Sequence, residues 1–280
     1  MKTYNQVFSE LKNKKQGALV AFIVIGDPDY KTSLDIAKKI VDSGADILEL
    51  GVPFSDPIAD GKTIQAADVR ALNSGMNTDK AFEFVKDLRK YTDVPIGFLT
   101  YYNLVYQRGI EKFYQDANKA GVNSILIADL SIEEAYDIIK VSDKTGVDTV
   151  FMISQLSDDS RIKKIASASN GFIYLVSRLG VTGIRNELQY ATLSLIKRVR
   201  KYTDKPLCVG FGISKPQHVK DVIMAGADGA IVGSAIVDLI EKNIEKKARI
   251  LNEVSNFVKE LKYHTKPKQR FRKLNKQPTS

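Results

Sequence analysis

Cysteine occurs once in the 280 residues, at Cys208, and histidine only twice, at His218 and His264. A single cysteine excludes an intrachain disulfide and suits a reducing cytosol, so a cytoplasmic location is expected. One cysteine and two distant histidines also rule out a Cys/His metal centre, leaving only carboxylate-bound Mg²⁺ open. No apolar run approaches about 18 residues, so no membrane span is expected. The opening stretch MKTYNQVFSELKNKKQG lacks the long apolar segment of a secretory signal and reads instead as an amphipathic helix. No low-complexity linker divides the chain, and no short repeat marks a solenoid. The G-x-G-x-x-G of dinucleotide-binding sheets is missing after the first apolar run, which counts against an open doubly wound sheet.

What is present is a hydrophobic fraction of 44%, enough for a large core, and a net charge of +9. The charge is unevenly placed. Lys266, Lys268, Arg270, Arg272, Lys273 and Lys276 lie in the segment from Tyr263 to Ser280, which holds no acid. Without those six the remainder carries about +3, ordinary for a soluble domain. Residues 1–262 are therefore read as one domain and 263–280 as a basic, disordered tail. Attraction of that tail to nucleic acid or an acidic partner is the sharper alternative.

Eight apolar runs alternate with helical patterns: 18–26, 45–52, 94–102, 123–130, 148–154, 171–177, 206–213 and 229–237, with a long charged helix over roughly 241–263. The runs are nearly continuous in Val, Ile, Leu and Phe, as strands buried on both faces of a parallel sheet require. Glycine follows the helices at Gly44, Gly121, Gly146 and Gly226, where a left-handed terminus is common. The fold class is α/β: an eight-stranded parallel (β/α)8 TIM barrel with an extra N-terminal helix and a basic C-terminal tail. The open doubly wound sheet is the runner-up.

Barrel enzymes place their chemistry where strands end and βα loops begin. The stretch LELGVPFSDPIADG (48–61) fits that position. Glu49 ends an apolar run, and the following loop offers Asp56 and Asp60 among Val52, Pro53, Phe54, Pro57 and Ile58. Burial would raise the Glu49 pKa and let it carry a proton at neutral pH. The plainer readings are a Glu49 salt bridge and turn roles for the aspartates. VGFGIS (209–214) and IVGSAIV (231–237) end the last two strands, where barrels bind phosphate through backbone N–H groups. Gly212, Gly233 and Ser234 are the expected donors, tight packing at the rim being the alternative. In YLVSRLGVTG (174–183), Gly180, Thr182 and Gly183 suit either a lid or an ordinary βα loop. Phe22, Leu99, Tyr101 and Tyr174 are assigned to strands and line either an apolar pocket or the core. Asp129 is a further acid at a strand end.

LELGVPFSDPIADG, YLVSRLGVTG, VGFGISKP and IVGSAIV, in this order, with FLTYYN (98–103) and GDP (26–28), resemble the tryptophan synthase alpha subunit over about residues 5–260. The resemblance implies a (β/α)8 lyase that cleaves indole-3-glycerol phosphate to indole and glyceraldehyde 3-phosphate. It implies Glu49 as the acid–base residue and Asp60 as its partner. It groups Phe22, Ile64, Leu99, Tyr101, Asp129 and Tyr174 around the indole, with Thr182 near Asp60 and Gly183, Gly212, Gly233 and Ser234 near the phosphate. No metal or organic cofactor is implied for this chain. The partner is a beta subunit in an α2β2 complex, which would hold the pyridoxal phosphate. A non-catalytic barrel that regulates such a partner is the alternative function.

Two departures from the family pattern stand at the barrel mouth. Ser131 replaces a proline, with a hydroxyl able to cap the next helix. SQLS (154–157) replaces Ala-Pro-Thr-Ser. Both bear on coupling to the partner more than on the chemistry.

Overall fold

All seven residues of ALVAFIV are buried, and they form the strand β1 (Ala18–Val24). A strand without an exposed face needs cover on both sides, which helices packed on a parallel sheet provide. A computed structural model describes residues 1–177 and 185–266. To one side of β1 lie, in order, β2 (Ile47–Gly51), β3 (Ile96–Thr100), β4 (Ser124–Ile127) and β5 (Asp148–Thr149). To the other lie β9 (Gly229–Val232), β8 (Leu207–Gly210), β7 (Ile173–Val176) and β6 (Met152–Ile153). Every pairing is parallel.

The strands β5 and β6 are two parts of one apolar run. Between them, Val150 donates its N–H to the Ile125 carbonyl (3.1 Å), and Phe151 accepts from the Tyr174 N–H (3.1 Å). The fifth run thus bonds to both ends of the sheet and closes it. The result is the expected barrel of eight strands.

The helix α1 (Tyr4–Asn13) plugs the N-terminal end of that barrel. Its capping box pairs Thr3 and Gln6 reciprocally. Its apolar stripe, Tyr4, Val7, Phe8 and Leu11, is buried against the interior positions Val20, Ile47, Leu126, Val150 and Phe172. At about 1.5–3 kcal/mol for each large side chain removed from water, this stripe is a main attachment of the helix. Tyr4 reaches deepest, with its hydroxyl 2.7 Å from Ser124 Oγ.

Around the barrel stand α2 (Tyr30–Asp42), α3 (Lys62–Asn73), α4 (Thr78–Arg89), α5 (Tyr102–Arg108), α6 (Ile110–Ala120), α7 (Tyr136–Thr145), α8 (Asp159–Ala168), α9 (Arg185–Arg200), α10 (Pro216–Met224), α11 (Ser234–Lys242) and α12 (Lys247–His264). Gly121 (φ +93°) and Gly146 (φ +69°) end α6 and α7 in the left-handed conformation.

Several elements differ from the sequence reading. The run 229–237 is half strand and half helix, because α11 begins at Ser234. The charged helix expected over 241–263 is instead the end of α11 and all of α12, separated by a turn. Tyr101 lies just beyond its strand, as the residue preceding α5. Ser131 does not cap a helix: its hydroxyl donates to Glu134 Oε2 (2.8 Å), and a short 3-10 turn, Ile132–Glu134, precedes α7. Residues 263–266, assigned to the tail, belong to the fold. Thr265 is fully buried, its carbonyl accepts from the Gly17 N–H (3.0 Å), and its hydroxyl oxygen accepts from Gln16 (2.9 Å). Nearby, Lys262 pairs with Asp46 at 2.6 Å and ties α12 to the barrel floor. The remainder of the tail, 267–280, lies outside the described residues. No helix among the described residues is long and apolar enough to cross a membrane.

Candidate active site

Side chains alternate across each strand, so a barrel interior is built from every second residue. On β2 that rule sends Glu49 inward, level with Phe22 on β1 and Gly97 on β3. Glu49 is 4% exposed. Burial is the main force on its carboxyl, and the nearby negative charge of Asp60 adds to it, raising the pKa to about 8. No cation offsets these two influences. The salt-bridge reading of Glu49 therefore finds no support among the described residues, and the neutral acid predominates at pH 7.

Asp60 closes the loop that follows β2. Burial raises its pKa, while the Tyr101 hydroxyl, donating to Oδ2 at 2.7 Å, opposes the rise. The same hydroxyl accepts the Ala59 N–H (3.1 Å), and the Tyr101 ring stacks on Phe54 at 5.2 Å and 29°. The Tyr101 hydroxyl thus holds the Asp60 side chain and the backbone of its neighbour Ala59. Within the loop, Asp56 does serve a turn: its carbonyl accepts the Ile58 N–H (2.9 Å) and its carboxylate accepts from Ser55.

These two acids line a cavity of about 250 Å³ at the C-terminal end of the strands. Of the residues expected at the site, Phe22, Glu49, Asp60, Ile64, Leu99, Tyr174, Gly212, Gly233 and Ser234 come together there. Tyr101 stands behind them, through Asp60. Asp129 does not line this cavity. It lies in an adjoining hollow, and its carboxylate accepts the Tyr102 N–H (2.7 Å) at the start of α5. Thr182, Gly183 and the suggested lid around Gly180 lie outside the described residues.

The rings that face the cavity rest on glycines. A Cβ at Gly51 would stand 2.8 Å from Phe22 Cζ, and one at Gly233 would stand 3.0 Å from Phe22 Cδ1. A Cβ at Gly210 would overlap the Tyr174 ring. The strand ends are glycine-rich because two aromatic rings occupy the space a side chain would need.

The same cavity is lined by Gly212, Ile213 and Ser214 after β8 and by Gly233, Ser234 and Ala235 after β9. Ser234 opens α11, whose first N–H groups have no intrahelical acceptor, and Gly233, Ser234 and Ala235 line the cavity. Such a helix start favours an anion. Phe211 was missed in the sequence. It holds a left-handed φ of +67°, which costs a side-chain-bearing residue roughly 1–2 kcal/mol. Ser177 holds this turn by donating its hydroxyl to the Gly210 (3.1 Å) and Phe211 (3.2 Å) carbonyls. Phe211 meets Tyr174 edge-on at 5.7 Å. Its only signal was its place between two glycines. Asp68 was missed as well. It shares the buried stripe of α3 with Ile64, Ala67 and Ala71, an apolar position for an acid.

A larger hollow of about 410 Å³ lies at the opposite end of the barrel, under α1, lined by Lys12, Lys15, Asp204 and Asp228 among others. Buried Glu49 beside half-buried Asp60, rather than volume, makes the mouth the candidate site.

A parallel barrel with a buried glutamate, a half-buried aspartate and a glycine-rich helix start at its C-terminal mouth defines a class, the (β/α)8 proteins whose candidate site lies at the strand ends and βα loops. Within it, residues 8–266 match the family model described as tryptophan synthase alpha chain. The chain belongs to the tryptophan synthase alpha chain family, and that membership carries a role in tryptophan biosynthesis. It is 48% identical to the tryptophan synthase alpha chain of Methanoregula boonei over 92% of this chain and 97% of that one. It is 50% identical to that of Methanocaldococcus jannaschii over 88% and 87%. Among solved structures, the alpha subunit of Legionella pneumophila superposes with a TM-score of 0.86 at 30% identity, covering 95% of this chain and 98% of that one. A chain from a Pyrococcus furiosus structure, titled for mutual activation of the tryptophan synthase α2β2 complex, gives 0.82 at 38% identity, over 88% and 98%.

Proposed function

We propose that this chain is the lyase that cleaves indole-3-glycerol phosphate to indole and glyceraldehyde 3-phosphate, with Glu49 as acid and base. The observation that carries the reading is a buried Glu49, held largely neutral, lining the same cavity as a helix start suited to an anion. A carbon–carbon bond to an aromatic ring does not break unaided. Neutral Glu49 protonates the indole at C3, giving an iminium-like ring able to accept the bonding electrons. The Glu49 carboxylate then takes the proton from the adjacent glycerol hydroxyl, the aldehyde forms, the bond to the ring breaks, and Glu49 is again an acid. Asp60, anchored by Tyr101, stabilises the positive charge that develops at the indole nitrogen. Phe22, Ile64, Leu99 and Tyr174 supply the apolar walls for the ring, and Gly212, Gly233 and Ser234 receive the phosphate.

No metal or organic cofactor takes part in this scheme, and pyridoxal phosphate belongs to a beta subunit in an α2β2 assembly. The location is cytoplasmic. A partner at the mouth is supported by an arc of exposed apolar side chains, Ile58, Tyr106, Tyr136 and Leu156, which are 82%, 64%, 73% and 95% exposed. They follow the C-terminal ends of neighbouring strands, from β2 round to β6.

The test is indole release from indole-3-glycerol phosphate by the purified chain, with and without a beta subunit, beside Glu49→Gln. The chain has no tryptophan, so indole fluorescence is read without background from it. Cleavage is expected, reduced about 10²–10⁴-fold in the variant and stimulated by the partner. A folded chain that releases no indole in either condition would leave the regulatory, non-catalytic barrel as the function.

A further inference from the structure

Phe211 and Gly212 follow each other with left-handed φ angles of +67° and +85°. Glycine takes such a backbone freely and phenylalanine does not. Phe211 already stands between two glycines, and a third would have made the turn without strain. Strain kept beside a cavity points to use of the residue that bears it. Phe211 and Gly212 both line the cavity.

Something must hold the strained turn. The Phe211 ring meets Tyr174 on one side but is 41% exposed, so packing secures it only in part. The backbone is held by Ser177, the first residue after β7. Ser177 is buried, does not line the cavity and takes no part in the scheme above. Its N–H donates to the Gly210 carbonyl (2.9 Å), adding one bond to the β7–β8 ladder. Its hydroxyl shares one proton between the Gly210 carbonyl (3.1 Å) and the Phe211 carbonyl (3.2 Å). These carbonyls belong to the two peptide planes that flank the Phe211 Cα. Fixing both planes fixes φ and ψ of Phe211, because the backbone has no other soft torsions there. The second plane also carries the Gly212 N–H. In a trans peptide the N–H points opposite to the carbonyl, so the Gly212 N–H is turned away from Ser177. At the far end of the same loop the Ser214 N–H donates to His218 Nδ1 (3.3 Å), which centres the effect of Ser177 on residues 210–212.

We propose that Ser177 is a positioning residue: by holding both peptide planes of Phe211 it sets the Phe211 ring and the Gly212 N–H at the cavity, and so governs affinity rather than rate. This rests on the proposed function, in which the cavity takes an indole and a phosphate.

Two variants of the full chain test it. Ser177→Ala removes the hydroxyl and Ser177→Thr keeps it. The first measurement is NMR of the ligand-free protein labelled with 13C-phenylalanine, the Phe211 signal being assigned by its absence in Phe211→Gly. That signal should move in Ser177→Ala and return in Ser177→Thr. The second is equilibrium binding of indole and of inorganic phosphate. Both should weaken about fivefold in the Ala variant, as loss of a buried hydrogen bond implies, and stay within about twofold of wild type in the Thr variant. The third is indole release. KM should rise by about the same factor with kcat within about twofold, since the interaction lost is one of binding. If the threonine methyl prevents folding, the Phe211→Gly background replaces that control. Glycine holds the turn unaided, so adding Ser177→Ala there should cost less than about twofold in phosphate affinity. An unmoved Phe211 signal, or wild-type affinity and KM in the folded Ala variant, would overturn the proposal. So would an equal loss with and without the Phe211 side chain, or a fall confined to kcat or to melting temperature. A wild-type chain that binds both ligands but releases no indole, with weaker binding in Ser177→Ala, would uphold the positioning role and fail the assigned reaction. A wild-type chain that binds neither ligand would overturn both.

Discussion

A glutamate at an interior barrel position is a costly choice unless its proton is used. Glu49 has lost water, gained an acidic neighbour and found no cation among the described residues. Its pKa near 8 fixes a direction for pH. Proton donation to indole requires the neutral form, so kcat for cleavage is expected to hold through neutrality and fall as pH rises past about 8. The same shift governs stability. The folded state holds the Glu49 proton more tightly than the unfolded chain, so stability is lost as pH rises from the ordinary glutamate range toward 8. Glu49→Gln removes this dependence. It should match wild type in urea midpoint near pH 4 and exceed it at pH 8.5, by an amount that no exposed glutamate would produce. An equal midpoint at both pH values would mean that Glu49 ionises freely in the folded protein.

At the scale of the element, the question becomes how a strand end makes room for a site. Phe22 lies on Gly51 and Gly233, and Tyr174 lies on Gly210. Gly210→Ala should therefore push the Tyr174 ring from its place and destabilise the barrel by about 1–3 kcal/mol, as overpacking of a dense interior does. That corresponds to a fall in melting temperature of several degrees for a domain of this size, read by circular dichroism, with an accompanying loss of indole affinity. A variant that melts and binds as wild type would show the ring to be free to move aside.

Most of the barrel was legible because strands buried on both faces write themselves as unbroken runs of Val, Ile, Leu and Phe. The misreadings share a cause. In 229–237 the apolar run passes from a buried strand into a buried helix without a change in composition, and periodicity alone cannot divide them. Glu49 and Asp60 stood out because acids beside prolines and apolar residues at a strand end are unusual. Asp68 was hidden in a helix that reads as amphipathic, although its place on the stripe of Ile64, Ala67 and Ala71 was a usable sign. The left-handed turn at Phe211 is held by Ser177, a contact between the ends of two strands that no local pattern records.

For the whole molecule, the two ends of the barrel have different fates. The N-terminal end is sealed by α1 and tied to α12 through Asp46, Lys262 and Thr265. The C-terminal end carries the cavity and, on one arc of its rim, Ile58, Tyr106, Tyr136 and Leu156. Scattered exposed apolar residues are normal, but an arc of four beside the mouth is what an interaction surface looks like. Leu156 is held out by its own loop: Ser154 Oγ accepts the Leu156 N–H (3.3 Å), and Ser157 Oγ accepts the Ser154 N–H (3.2 Å). The SQLS departure therefore forms a defined turn that presents an apolar side chain. Replacing Ile58 and Leu156 together by Asp should leave indole release by the isolated chain within about twofold, because exposed surface substitutions seldom disturb the fold. It should weaken the beta subunit's stimulation at least tenfold in the concentration needed, as charges placed in an apolar contact lose their hydration without gaining a partner. A titration of wild-type and double-variant chains with one beta preparation measures this. Unchanged stimulation would move the contact away from this arc, to another part of the rim.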